Sequence, residues 1–136
     1  MNRDSREKLV AFLLGLETVG QVLRDPLRGG LYENLIITEV LKSRLNAGKR
    51  PELFFYRDTH GNEVDLLIKK GRQLIAIEIK SSATFTNGFI KGIEKFRSQI
   101  GDKYAQGYVF YNGEEKYTIK EIDILNPLQN DQKLLF

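Results

Sequence analysis

The chain has 136 residues, with 21 Lys and Arg, 18 Asp and Glu, one His and no Cys, so its formal net charge is +3. This length predicts one domain with at most an appended segment. The lack of cysteine excludes disulfides, zinc fingers, iron–sulfur clusters and thiol catalysis, and a single histidine argues against a His-rich metal site. A bound metal would therefore need oxygen ligands, which suit Mg²⁺, Mn²⁺ and Ca²⁺.

The hydropathy of the chain is that of a globular protein rather than a membrane protein. No apolar run approaches the ~18 residues that span a bilayer, and the charged first residues lack the apolar segment of a signal peptide. We therefore expect a cytoplasmic protein. The mild positive charge permits contact with nucleic acid but does not argue for it.

The N-terminal part of the chain is predicted to be helical. Residues 5–16 carry apolar side chains at helical spacing, and a second short helix is predicted over 18–23. Pro and Gly residues then interrupt the pattern, and we expect this first stretch to have no strand partner. We divide the chain into a helical extension or linker at 1–28 and a main domain at 29–136.

From Leu31 onward the apolar spacing alternates between helical and strand periods. The predicted elements are a helix at 31–46, an antiparallel meander of strands at 53–57, 63–68 and 74–80, a helix at 88–100, a strand at 106–111, an edge strand at 116–125, and a short helix from Asn126-Pro127. The order α-β-β-β-α-β with a late extra strand predicts one α/β domain with a central mixed sheet.

Glu33 is an exception on an otherwise aliphatic helix face. Helical spacing places it beside Ile36, Ile37 and Val40. An unpaired carboxylate among aliphatic side chains is costly, so the pattern indicates that Glu33 faces a polar site. The alternative is that Glu33 lies in the first helical turn, where solvent and the helix dipole stabilise its charge.

Two further acids are predicted to meet on adjacent strands. The turn at 70–72 places Asp65 and Glu78 nearly opposite each other, and like charges in that position destabilise a sheet unless something compensates. A divalent cation would compensate, and Lys80 on the same face supplies a further positive charge. We expect the helix that carries Glu33 to cover this face. The alternative is a solvated surface network of Asp, Glu and Lys.

These residues together resemble the motif of the PD-(D/E)XK nuclease superfamily. The pattern consists of Glu33 on the first helix, Asp65 on the second strand and Glu78-Ile79-Lys80 on the third. Val64 stands where the superfamily has proline. The resemblance implies a restriction-endonuclease-like αβββαβ core with a mixed sheet flanked by helices.

A closer resemblance extends over the region between about Leu13 and Phe96. The stretches LLGL, DPLRGGLYENLIITEVLK, FFYRDTHGNEVDLLI and LIAIEIKSS look like the domain of unknown function found at the C-terminus of a group of prokaryotic AAA-type ATPases. The phosphate-loop motif of such an ATPase is absent from the sequence. The resemblance therefore implies that the chain is the C-terminal part of a larger protein, with an upstream ATPase domain as its partner.

The superfamily resemblance also implies a role for each residue of the motif. Asp65 and Glu78 would bind Mg²⁺ or Mn²⁺, with the carbonyl oxygen of Ile79 as a third ligand. Glu33 would complete the metal shell or hold a metal-bound water, and Lys80 would orient that water or stabilise the transition state.

The remaining predicted contacts are with nucleic acid. Ser81 and Ser82 would contact phosphate, and Lys91, Lys95 and Arg97 would hold the DNA backbone, although solvated surface lysines and arginines are the alternative. Three functions are consistent with these features. The first is a metal-dependent nuclease acting on DNA, the second is a catalytically silent module for DNA or partner binding, and the third is a junction-resolving endonuclease.

Overall fold

The structure is a computed structural model that describes residues 19–21, 30–50 and 52–129. Two α-helices and one seven-stranded mixed sheet make up this part of the chain. In chain order the elements are β1 (Val19–Gln21), α1 (Leu31–Asn46), β2 (Leu53–Arg57), β3 (Glu63–Lys70), β4 (Gln73–Lys80), α2 (Lys91–Ile100), β5 (Tyr104–Tyr111), β6 (Tyr117–Ile119) and β7 (Ile122–Leu125). Short 3₁₀ helices at Asn87–Ile90 and Gly101–Lys103 flank α2.

The strands lie in the order β1-β2-β3-β4-β5-β7-β6. Strands β1 to β4 pair antiparallel with their neighbours, whereas β4 with β5 and β5 with β7 are parallel. A parallel pair needs a crossover connection, and α2 supplies it between β4 and β5. The predicted order α-β-β-β-α-β from Leu31 onward and the α/β mixed-sheet class are confirmed.

The two helices pack on opposite faces of the sheet. Ile36 and Val40 of α1 are fully buried in a cluster that includes Ile77 of β4. Ile93 and Phe96 of α2 are buried in a second cluster, on the other face. Strand β4 lies between the two layers, which explains why its residues from 74 to 79 are all buried.

Most predicted boundaries agree closely with the structure. The helix at 31–46 and the strand at 53–57 are confirmed at both ends, and the next two predicted strands and the strand at 106–111 are each longer by one or two residues. The helix predicted over 88–100 begins as a 3₁₀ turn. In the part that the structure describes, neither α-helix is long and apolar enough to cross a membrane.

The prediction for the N-terminal stretch is wrong where the structure describes it. Residues 19–21 form β1 rather than a helix, and they pair antiparallel with β2 through Val19↔Tyr56 and Gln21↔Phe54. Without β1, the backbone N–H and C=O groups along that side of β2 would be unpaired, and covering such an edge is favourable. The helix predicted at 5–16 and the rest of the helical extension at 1–28 lie outside the described residues.

The prediction for the C-terminal stretch also needs correction. The strand expected at 116–125 is a hairpin of β6 and β7, because Lys120 and Glu121 adopt positive φ angles of 51° and 64°. Such a turn normally contains Asn or Gly, so the sequence carries no signal for it. The helix expected from Asn126 is replaced, as far as Gln129, by a turn in which Asn126 Oδ1 accepts the Leu128 N–H at 3.0 Å.

Candidate metal centre

Asp65 and Glu78 come together where the pairing of β3 and β4 ends. The regular ladder runs from Lys70↔Gln73 to Leu66↔Ile77, and the same register places Asp65 opposite Glu78. Beyond that ladder, Asp65 Oδ2 accepts the backbone N–H of Ile79 at 2.9 Å. The side chain of Asp65 thus bonds a β4 backbone group, and this hydrogen bond fixes the carboxylate beside the Glu78 position.

A β-bulge lies at this point of β3. The register against β2 shifts between Phe54↔Leu67 and Tyr56↔Val64, so β3 advances three residues while β2 advances two. Val64 and Leu67 therefore pack in one cluster, although strict alternation along β3 predicts opposite faces for them. Bulges bend a strand and redirect its side chains, often beside functional sites, and this one includes Asp65.

Glu78 is a deeply buried acid with incomplete compensation. The residue is only 6% exposed, and Oε1 is buried with no hydrogen-bond partner in the described part of the chain. The Lys80 Nζ lies 3.6 Å from the other carboxylate oxygen, Oε2. Burial and then the Asp65 charge raise the pKa of Glu78 well above its ordinary value, and Lys80 only partly opposes them. The site therefore favours an additional positive charge.

Helix α2, not α1, covers this site. A Cβ built on Gly92 of α2 would lie 2.8 Å from the backbone oxygen of Glu63 and 3.5 Å from Glu78 Oε1. The backbone of α2 thus lies directly against the acids, so the expectation that the helix of Glu33 covers this face is wrong. The reason is the α2 crossover, which packs on the face of Glu78, while α1 packs on the other.

Glu33 is half-buried in the first turn of α1. The buried residues of α1 that share its predicted face, Ile36 and Ile37, pack against the face of the sheet away from Glu78. Within residues 19–21, 30–50 and 52–129, no group of three or more His, Cys, Asp and Glu side chains is placed to hold a metal ion. The structure therefore provides the pair Asp65 and Glu78, and the role of Glu33 as a third ligand stays a prediction.

Lys80 is half-buried beside the acid pair. Its Nζ lies 3.6 Å from Glu78 Oε2 and 5.7 Å from the centre of the Phe89 ring. A cation near the face of an aromatic ring gains electrostatic stabilisation from the ring. The ammonium group is therefore held at the margin of the site by a carboxylate and a ring.

The two serines after β4 are both exposed but are used differently. The Ser82 hydroxyl donates a hydrogen bond to the Thr84 carbonyl at 2.9 Å, and the Ser82 carbonyl accepts the N–H of Asn112. Ser82 thus stabilises its own loop and connects it to the end of β5. Ser81 directly follows Lys80 and lies nearer to the acids in sequence.

The three basic residues of α2 that were predicted to bind the DNA backbone also differ in their contacts. Lys91 and Lys95 are exposed. Arg97 donates a hydrogen bond to Glu121 at 3.0 Å, and its guanidinium carbon lies 4.9 Å from the centre of the Tyr104 ring. Arg97 therefore holds the β6–β7 turn, whereas the two lysines extend into solvent.

Sequence reasoning did not identify Gly92 as a residue of the site. The available signal was a glycine inside a helical pattern, because glycine lowers helix stability and such a residue usually serves a close backbone approach.

Comparison with protein-family models matches residues 28–130 to a domain of unknown function, DUF4143. This range includes α1 and both strands that carry the acids. Comparison with curated proteins gives no match.

Proposed function

We propose that this chain, which belongs to the DUF4143 family, is a metal-dependent nuclease-like domain that hydrolyses the phosphodiesters of DNA. The observation that carries the proposal is the pair Asp65 and Glu78. These acids face each other where β3 and β4 stop pairing, and Glu78 Oε1 is buried without a hydrogen-bond partner in the described residues. The α-β-β-β-α-β order supports a restriction-endonuclease-like core.

The donor set of the site fits Mg²⁺ or Mn²⁺. Magnesium in phosphate-processing sites is commonly held by one or two carboxylates, with water and substrate oxygens as the other ligands. Asp65 and Glu78 would provide these carboxylates, and the Ile79 carbonyl is the third candidate ligand. A cation bound there would neutralise charge on the phosphate and lower the pKa of its water.

The surrounding residues would position these groups. The Ile79 N–H fixes the Asp65 carboxylate at 2.9 Å, and α2 packs closely against Glu78 at Gly92. Lys80 would place a positive charge beside the scissile phosphate, where it would stabilise the charge of the transition state. Lys91 and Lys95 on the adjacent exposed helix surface would hold the DNA backbone.

One observation favours a second candidate function. Lys80 already lies beside Glu78, and no third His, Cys, Asp or Glu joins the acid pair among the described residues. A catalytically silent module that binds DNA or a partner would need no complete metal shell. In either case the resemblance to ATPase C-terminal domains supports an ATPase domain upstream in the natural protein.

The test is DNA cleavage by the purified chain with Mg²⁺, Mn²⁺ or a chelator. We expect metal-dependent cleavage that Asp65→Ala and Glu78→Gln each lower by about a hundredfold or more. Glu114→Gln, which changes an exposed acid outside the site, is the matched control and should cleave normally. Circular dichroism of each variant would establish that it is folded.

Each result distinguishes the two candidates. Cleavage that persists in both site variants would contradict the assignment of Asp65 and Glu78. Salt-sensitive DNA binding by the unmodified chain, with no cleavage under any metal, would favour the silent module.

A further inference from the structure

A basic groove lies on the α1 side of the sheet, away from the acid pair. It has a volume of about 400 Å³ and lies beside the turn between β3 and β4. We define this basic groove by the polar residues that line it, namely Arg44, Lys49, Lys69, Lys70, Gln106 and Tyr108.

The groove brings together cations from two separate parts of the chain. Arg44 and Lys49 come from the end of α1 and the segment after it, whereas Lys69 and Lys70 come from the end of β3. The lysines are exposed, and none of the described residues that line the groove is acidic. Cations in such proximity repel one another, so an anion in the groove would relieve that repulsion.

These cations are not required as caps of α1. A helix C-terminus attracts cations because its last carbonyl groups lack partners. In α1, backbone N–H groups of residues 47–49 already bond the carbonyls of Ser43, Arg44 and Leu45. Lys49 is therefore not needed as a cap, and among the described residues Lys49, Lys69 and Lys70 have no ion-pair partner.

Arg44 is a fixed part of the groove wall. The residue is only 6% exposed, and its Nε donates a hydrogen bond to the Arg50 carbonyl at 2.9 Å. Burial lowers the pKa of Arg44, and the charge of Glu52 opposes that shift. Glu52 thus offsets part of the Arg44 charge, and the excess positive charge of the groove comes from Lys49, Lys69 and Lys70.

The lining is apolar on one side. Ile68, Ile75 and Ala105 contribute to it, and Tyr108 adds a half-buried aromatic ring. The volume of the groove lies within the roughly 300–1,000 Å³ of small-molecule pockets, and its lining is more polar than theirs, which suits a charged ligand. A long nucleic acid, in contrast, is usually bound along an extended charged surface.

We propose that the basic groove binds a small phosphate-bearing anion. The phosphate would lie among Lys49, Lys69 and Lys70, and an organic group attached to it would pack on the apolar wall. The groove and the metal centre lie on opposite faces of the sheet, so this proposal does not depend on the proposed nuclease function.

The test is calorimetric titration of the full chain with pyrophosphate, ADP and adenosine, without divalent metal. We expect saturable binding of at least one phosphate and none of adenosine. Lys69→Glu and Lys70→Glu should each weaken that binding by about tenfold or more, and added salt should weaken it further. Lys116→Glu, which reverses the charge of an exposed lysine that does not line the groove, is the matched control.

The probes also identify the source of the phosphate. Tighter binding of ADP than of pyrophosphate would support an organic phosphate, and equal affinities would support an inorganic one. Glu78→Gln should bind the phosphate as the unmodified chain does, whatever its effect on DNA cleavage. A short DNA duplex is titrated in the same way for comparison. The proposal is overturned if neither phosphate binds, if Lys116→Glu weakens binding as much as the groove variants do, or if the DNA duplex is the only ligand whose binding the groove variants weaken.

Discussion

At the scale of single residues, Glu78 has a position that folding alone does not favour. Its carboxylate is buried, one oxygen has no hydrogen-bond partner among the described residues, and the charge of Asp65 acts on it. Charged groups buried with incomplete compensation are costly and are typical of functional sites. The position of Glu78 therefore supports the proposal that a cation completes the site.

Glu78→Gln should stabilise the metal-free chain at neutral pH by about 1–2 kcal/mol, because a neutral amide removes the repulsion from Asp65 and can donate a hydrogen bond to it. The pKa of Glu78 is raised on folding, so its ionisation costs stability as the pH rises above the ordinary value of 4.5. The advantage of the variant should therefore grow with pH. Urea unfolding of both proteins across a pH series measures it.

Added Mg²⁺ provides the complementary measurement at Glu78. It should raise the stability of the unmodified chain and not that of Glu78→Gln, because a ligand that binds only the folded state stabilises it. A variant less stable than the unmodified chain at every pH would show that Glu78 has a structural role instead.

At the scale of elements, the loop between β2 and β3 is organised by one carboxylate. Asp58 Oδ1 accepts the backbone N–H groups of His60 and Asn62 at 2.9 Å, and Oδ2 accepts the Asn62 side-chain amide at 2.7 Å. The Tyr56 hydroxyl lies 3.3 Å from Oδ2. These bonds close the hairpin that leads into the bulge at Asp65, so the loop helps to fix the position of that acid.

Asp58→Asn should destabilise the chain at neutral pH and should have little effect in acid. Hydrogen bonds, first from the Asn62 side chain, lower the pKa of Asp58 from 3.8 to about 2. A carboxyl whose pKa falls on folding stabilises the protein above its unfolded pKa, and this contribution is lost as the pH falls through about 2.

Thermal unfolding of Asp58→Asn and the unmodified chain across this range checks that expectation. The difference between their melting temperatures should narrow as the pH falls. A difference independent of pH would contradict an electrostatic role for Asp58.

At the scale of the whole molecule, the described residues form a sheet between two helical layers, and Gly92 allows the close approach of one layer. A Cβ at Gly92 would lie 2.8 Å from the Glu63 carbonyl oxygen, which is closer than two such atoms can pack. The side chain would meet backbone, which cannot rotate away. The absence of a side chain at Gly92 therefore lets α2 close over Glu78.

Gly92→Ala should destabilise the chain by up to about 2 kcal/mol, because an overpacking cost of about 1–3 kcal/mol outweighs the ~1 kcal/mol that alanine gains over glycine in a helix. It should also lower any metal-dependent cleavage, since α2 must move relative to Glu78. Gly88→Ala is the matched control, because its Cβ would lie 3.7 Å from Thr86 Oγ1 in ordinary contact. Urea unfolding measures the free energy of unfolding of both variants. An equal loss in Gly92→Ala and Gly88→Ala would contradict this account of the packing.

Local patterns were sufficient for much of the fold. The helix at 31–46 follows from its apolar spacing and its flanking glycines, and the strand at 53–57 follows from its aromatic content. The meeting of Asp65 and Glu78 also follows, since the short turn at 70–72 fixes the antiparallel register.

Only the tertiary structure decided the remaining features. The strand at Val19–Gln21 forms because β2 offers an unpaired edge. The turn at Lys120 and Glu121 contains neither Asn nor Gly, so the sequence does not predict it. The bulge at Asp65, the cover by α2 and the convergence of two basic segments on one groove depend on contacts between residues distant in sequence. The sequence by itself determined which residues could do the chemistry, because residue type and local spacing are local properties. Which groups cover the acids, and which basic segments converge, depends on how the layers pack, and that is a property of the whole chain.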